Sequence, residues 1–476
     1  MHTSPISRNW VSSVKVLLAG VAFTLPLVAG VDATARDDSL PHGGHPPLHA
    51  QDTMRAFADE HYHDQQLSAQ SITACTGGMA GTYPCSNVDL MAFLPLSQIG
   101  GGIGNDIWGW TDSGSGREFA IMGTTTHTAF VEITDSANPV YLGKLNLPGG
   151  VAESSWRDIK VYNDHAYIGS EALGSGMQVM SLVQLLNVPA PPVIFAQLTN
   201  YEGFSTSHNI VINEDTGYAY GVGINNDNCG RGLHFVDIIA PANPVPAGCF
   251  ADDGYTHDAQ CVVYGGSDPD YQGLEICFAY NEDTLTIVDV SDKNDPMQIS
   301  RTSYVDQQYT HQGWLTDDHD YLLMDDELDE GSDGIDNTRT LIWDVRDLDN
   351  PIHMANYAGV SISRDHNQYV KGDYVYQANY TSGLRVLDIS DIANGNLVEV
   401  GFFDIYPLNN LRIFSGAWST YPFFDSGTVI VSGIEQGLFI LKPKFVPEPH
   451  HAVMLISGAA LLGALYRRRV CLSRVH

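Results

Sequence analysis

Positive charge is scarce in this chain. Lysine and arginine together number 23 against 56 aspartates and glutamates, a formal net charge of -33. Several of the bases sit near the two ends, so the body is more acidic still. Phosphate binding needs clustered bases, and none are clustered in the body, which argues against nucleic acid as a partner. No CxxC pair occurs, so a structural zinc site of the usual spacing is excluded. There is no GxSxG elbow, no HExxH, no P-loop, and no GxGxxG that follows a strand and opens a helix. IGGGIGND from Ile99 is rich in glycine but leads into an extended segment. Long helical periodicity is missing, and the two longest apolar stretches, residues 16–29 and 452–466, are shorter than the ~20 residues of a stable membrane span.

What is present is a returning phrase: an apolar run, an aspartate, another apolar residue, and a turn ending in Asn-Pro or similar. LHFVDIIAPANP starts at Leu233, LTIVDVSDKNDP at Leu285, TLIWDVRDLDNP at Thr340 and LRVLDISDIANG at Leu384. AFVEITDSANP at Ala129 is a looser copy, MQVMSLVQLLNVPAPP at Met177 a degenerate one, and LFILKP at Leu438 a truncated one. A unit repeating every roughly 44–57 residues specifies a repeat fold. Each unit reads as four short strands between Gly-, Asn- and Asp-rich turns, as in VYLGKLNLP from Val140, IKVYNDHAYIGSE from Ile159 and the VDI run itself. About seven such units predict an all-β chain, a seven-bladed β-propeller of four-stranded blades. VDLMAFLPLSQIG from Val88 reads as a lone outer strand ahead of the first full unit, and LFILKP lacks an outer strand after it. Pairing the two closes the ring and removes an exposed sheet edge. The aspartate after each run (Asp237, Asp289, Asp344, Asp388) is expected to cap the turn through backbone amides.

The ends read as processing signals. Residues 1–35 have the basic start, apolar core and small-residue site (Ala33, Ala35) of a secretory signal peptide, the alternative being an uncleaved anchor. Residues 36–84 form a leader with His42, His45, His49, His61 and His63, either flexible or metal-binding; a short helix is expected around residues 52–70. The propeller is assigned to residues 85–443. Residues 444–476 carry VPEP at Val446, the apolar stretch and Arg467, Arg468 and Arg469. Of seven cysteines, Cys471 lies in that tail. The other six, Cys75, Cys85, Cys229, Cys249, Cys261 and Cys277, are an even set for disulfides, with buried thiols as the alternative. Sequence allows fifteen pairings. Proximity favours Cys75 with Cys85, and Cys261 with Cys277 on neighbouring strands, which leaves Cys229 with Cys249.

These phrases resemble the LVIVD repeat, and residues 85–443 resemble the choice-of-anchor B family of exported bacterial proteins. SHNIVI from Ser207, YTHDAQCVVY from Tyr255, YTHQGWLTDD from Tyr309, LMDDELDEG from Leu323 and RDHNQYV from Arg364 carry that likeness. The C-terminal segment resembles the PEP-CTERM sorting signal, although the tail runs on past the arginines. An ordinary tail anchor is the alternative. The resemblances imply export through a signal peptidase, transient membrane insertion, an exosortase-type sorting enzyme and an outer-surface or extracellular destination. They bring no established activity.

Three constellations are candidates for function. His208, His257, His311 and His366 recur at one place in successive units, with Arg157 aligned ahead of them. Asp158, Asn209, Asp258, Gln312 and Asn367 follow, with Asp106 at the equivalent place in the first unit. If the register holds, they ring one mouth of the channel. They would there either bond neighbouring blades, hold a ligand or metal, or act in general acid-base chemistry. The acidic run Asp325, Asp326, Glu327, Asp329 and Glu330, continued by Asp333 and Asp336, suits calcium or is a solvated loop; Gly331 misses the EF-hand position. Trp108, Trp110, Trp156, Trp314 and Trp418 are expected near common loop positions, as blade packing or as a platform for a sugar ring or peptide. The expected function is a binding or scaffolding module for a protein or polymer ligand, with a metal-dependent hydrolase or lyase at the channel mouth as the alternative.

Overall fold

A computed structural model describes residues 68–224, 228–332 and 334–445. The two terminal signals, the leader histidines, the short helix expected near residues 52–70, and Asp333 lie wholly or almost wholly outside them. Seven sheets account for the strands. Blades 1 to 6 begin with inner strands Gly104–Thr111, Arg157–Tyr162, Asn209–Asn213, Asp258–Val263, Thr310–Leu315 and Gln368–Lys371, and blade 7 with Ala417–Tyr421. Each inner strand touches the next, and that of blade 7 touches that of blade 1. The chain is therefore a seven-bladed β-propeller with its channel lined by the inner strands.

The repeated phrase is the third strand of each blade. In blade 4 this is Leu285–Asp289, whose apolar residues are buried on both faces between neighbouring sheets. That explains a continuous apolar run where a one-sided strand would alternate. The aspartates cap the turn as expected: Asp237, Asp289, Asp344 and Asp388 each accept a hydrogen bond from the backbone N–H two residues on, at 2.8–3.1 Å. The register to the outer strand then slips at a bulge in the same place, at Phe235/Val236, Ile287/Val288, Ile342/Trp343 and Val386/Leu387.

Val88–Pro95 is the outer strand of blade 7, antiparallel to Gly437–Pro443, so the two ends of the propeller share one sheet. The degenerate copy departs from the pattern. After Met177–Ser181 a 3-10 turn, Leu182–Leu186, replaces the usual hairpin. Val193–Ile194 pairs parallel with the outer strand of blade 1, and blade 2 is completed only by Thr199–Tyr201. The cause is local: Ser181 stands where the capping aspartate belongs, and Pro189, Pro191 and Pro192 cannot donate to a ladder. At the other edge, Tyr83–Ser86 pairs with Asn396–Phe403 of blade 6.

Disulfides join Cys75 to Cys85, Cys229 to Cys249 and Cys261 to Cys277. The last pair sits directly opposite on the first two strands of blade 4. Three disulfides fit an oxidising compartment. Among the described residues no helix is long and apolar enough to cross a membrane.

Candidate functional site

The inner strands stack three tiers of side chains along the channel. The first holds the imidazoles. His208, His257, His311 and His366 are buried, with successive ring centroids 4.5, 4.4 and 4.6 Å apart. Each Nδ1 is engaged. That of His257 meets the His311 carbonyl at 2.9 Å and that of His366 the Trp418 carbonyl at 2.5 Å, so these two stitch neighbouring blades. Nδ1 of His208 meets Glu171 at 2.5 Å, and Nδ1 of His311 meets Asp325 at 3.0 Å. Trp418 occupies the imidazole position in blade 7. Arg157 takes it in blade 2, donating from Nε to the Thr124 carbonyl at 3.2 Å, with its Nη2 buried and without a hydrogen-bond partner.

Burial works against charge throughout this tier. It pushes His366 down to about 3 and His311 well below the ordinary imidazole value, the latter also through the neighbouring rings. It also opposes charge on His208, but the hydrogen-bonded Glu171 outweighs it and carries that pKa upward. Asp325 and Glu327 are raised, again chiefly by burial.

The second tier is mainly architectural. Asp106 Oδ2 accepts from the Ile159 amide at 3.0 Å, and Asp158 Oδ2 from the Ile210 amide at 2.7 Å. Asn209 donates to the His257 carbonyl and Asn367 to the Trp418 carbonyl, both at 3.4 Å. Gln312 both donates to and accepts from the backbone of Gln368. Asp258 bonds its neighbouring Ala259 amide. One cation answers these carboxylates: Lys160 Nζ lies 2.7 Å from Asp158 and 4.6 Å from the Trp108 ring centroid. Burial opposes its charge, yet Asp158 and Asp106 raise its pKa above the ordinary value. Burial lifts Asp258 to about 7 and holds Asp106 well above the carboxylate range. Sequence reasoning passed over Lys160. The visible signal was a lysine two residues after Asp158, on the same face of a channel strand in a chain poor in lysine.

The third tier opens into a cavity of about 420 Å³ toward the C-terminal ends of the inner strands. One wall is aromatic, built by Trp108, Trp314, Tyr369, Tyr421 and Phe423, with neighbouring centroids 5.0–6.2 Å apart. Blades 2 to 4 complete the lining with the polar groups of Lys160, Glu214, Asp215, Asp258 and Gln260, the Gln260 Oε1 accepting from the Leu315 amide at 2.8 Å. The expectation that the five tryptophans share loop positions is corrected: four lie on inner strands and Trp156 just before one. Trp108 and Trp314 line the cavity. Trp156 and Trp418 join a cluster with Tyr380 beside the imidazoles, and Trp110 stacks on Phe119 away from both. Trp108 and Trp110 share one face of a strand and are separated by depth in the channel.

The acidic run is not a solvated loop. Asp325 and Asp326 end a strand, and all five carboxylates are buried. They do not gather at one point either, because each has its own partner. Asp326 accepts from the Gln308 and Tyr309 amides, and Asp329 meets Arg339 at 2.5 Å. Glu330 Oε1 accepts from the Asp365 amide at 2.7 Å, and Glu327 Oε1 from the Tyr380 hydroxyl at 2.5 Å. Only Glu327 joins a set of three metal-ligating groups, with His311 and His366.

The fold and the phrase define the class of protein: a β-propeller carrying LVIVD repeats, whose family model matches residues 276–302 and 367–401. In shape the chain is similar to the β-propeller domain of Cps50 (Swd1) from Myceliophteria thermophila, at TM-score 0.46 and 12% identity, covering 72% of this chain and 97% of that one. It is similar also to the hydrazine synthase of Kuenenia stuttgartiensis, at TM-score 0.45 and 11% identity, covering 68% and 91%. No curated protein matches the chain.

Proposed function

We propose that this chain is an exported, surface-sorted propeller of the choice-of-anchor B kind, and that it acts as a binding module for a sugar unit of an extracellular polymer. The observation that carries the reading is the part-aromatic, part-polar cavity at the end of the channel. Its volume of about 420 Å³ falls within the range of small-molecule sites. A sugar ring offers an apolar face to Trp108 and Trp314, and hydroxyl or amine groups to Asp258, Asp215 and Glu214 of the same lining. The three disulfides and the terminal signals support export.

Calorimetric titration of the purified chain with a panel of polysaccharides and their monomers tests this. At least one is expected to bind, and Trp314→Ala is expected to weaken it tenfold or more. Trp314 is half-buried, so the second variant is Glu214→Gln, at an exposed position of the same lining. Failure of every sugar to bind, or binding indifferent to both substitutions, overturns the reading.

A further inference from the structure

His311 and His366 flank the Glu327 carboxylate. His311 Nε2 lies 3.9 Å from Oε2, and His366 Nε2 lies 3.8 Å from Oε1. One ligand atom from each of the three residues lies within 4.8 Å of the other two. We infer that His311, His366 and Glu327 form a binding site for one divalent transition-metal ion of the zinc class.

Three features of the surroundings favour this. The first is the donor set. Two imidazole nitrogens and one carboxylate oxygen suit zinc and its neighbours, whereas calcium takes six to eight oxygens. Three protein ligands also leave a fourth, open position. The second is the tautomer. A carbonyl oxygen only accepts, so the 2.5 Å contact of His366 Nδ1 with the Trp418 carbonyl puts the ring proton on Nδ1 and a lone pair on Nε2, the atom facing Glu327. His311 likewise turns Nδ1 to Asp325 at 3.0 Å, leaving Nε2 toward the same carboxylate. Metal-bound histidines characteristically have their second nitrogen held this way. Tyr380 fixes the third ligand by donating to Glu327 Oε1 at 2.5 Å. The third feature is spacing. Bonds of about 2.0–2.1 Å in a tetrahedral site place ligand atoms about 3.4 Å apart, and the three ligand atoms here already lie within 4.8 Å of one another, so rotation of the side chains and a contraction of no more than about 1.4 Å closes the shell.

The site belongs to the imidazole tier, and the second tier lies between it and the aromatic cavity. It stands or falls independently of sugar binding. Its ligands come from blades 5 and 6, so it is assembled where these two neighbouring blades pack in this register.

The test is titration of the full chain, stripped with chelator, with Zn²⁺ and Ca²⁺ by calorimetry, and with Co²⁺ by visible absorption. One zinc per chain and the intense bands of low-coordinate cobalt are expected. His366→Gln is expected to weaken zinc a hundredfold or more. Glu327→Gln, which keeps the shape and the Tyr380 contact and so guards against misfolding in the first variant, is expected to weaken it tenfold or more. Absence of stoichiometric zinc overturns the inference. So does calcium binding in its place, or parental zinc affinity in both variants, which would put the ion elsewhere, for instance on the leader histidines.

Discussion

Lys160→Met is expected to destabilise the propeller by about 3–5 kcal/mol at pH 8, the usual cost of removing one partner from a buried ion pair. The Lys160 side chain is 14% exposed and that of Asp158 5%, so solvent screens the pair little. Methionine keeps much of the contact with Trp108, which isolates the loss of charge. The variant leaves Asp158 without its cation, and Asp258 and Asp106 without the neighbour that lowers their pKa values. The pH dependence follows. Asp258 titrates near 7 in the folded chain and near 4 unfolded, so the folded state holds its proton more tightly. The stability it contributes is complete below about pH 4 and is lost as pH rises through 7. Without Lys160 that loss deepens. Lys160 itself stays charged across this range, its pKa being raised. Urea unfolding at pH 5 and pH 8 measures the effect: the deficit is expected to be larger at pH 8. Equal stability of parent and variant at pH 8 would show that the lysine is not the channel's counter-ion.

The largest effect is expected from deletion of residues 88–95. Val88, Leu90, Phe93 and Leu94 are buried there against the last blade. At about 1.5–3 kcal/mol for each large side chain, their burial amounts to on the order of 10 kcal/mol. Whole domains are stable by only about 5–15 kcal/mol. The deletion also bares the edge of Gly437–Pro443, which then presents unpaired backbone groups to other chains. Loss of cooperative unfolding, and oligomers by size-exclusion chromatography with light scattering, are expected. A cooperative monomer would mean that the ring does not need this strand.

The fold was legible because its signals are local and repeated. The aspartate-capped runs marked the third strands, and the unmatched ends, VDLMAFLP and LFILKP, announced the shared blade. Cysteine proximity gave the first disulfide, neighbouring strands suggested Cys261 with Cys277, and the remaining pair followed. Blade 2 was harder to read, since its proline-rich connection spoils the turn and sends Val193–Ile194 to the neighbouring sheet. The candidate site was legible only in halves. The imidazoles could be aligned from their place in each unit, but Glu327 appeared within an acidic run that reads as calcium-binding or solvated. Its position between His311 and His366 depends on how blade 5 packs on blade 6, a contact no local pattern encodes. The aromatic wall was split for the same reason: Trp108 and Trp314 come from blades 1 and 5 and are joined through Tyr369 of blade 6.

Radial closure underlies the channel, its three tiers and the cavity, and one pair of residues reports on it directly. Asp89 and Lys442 face each other across the strands contributed by the two ends of the propeller. With both replaced by cysteine, oxidation of the purified chain is expected to yield an intrachain disulfide between these positions, identified by mass spectrometry of the linked peptides. Thiols that stay free, or that link only between different chains, would contradict a closed ring.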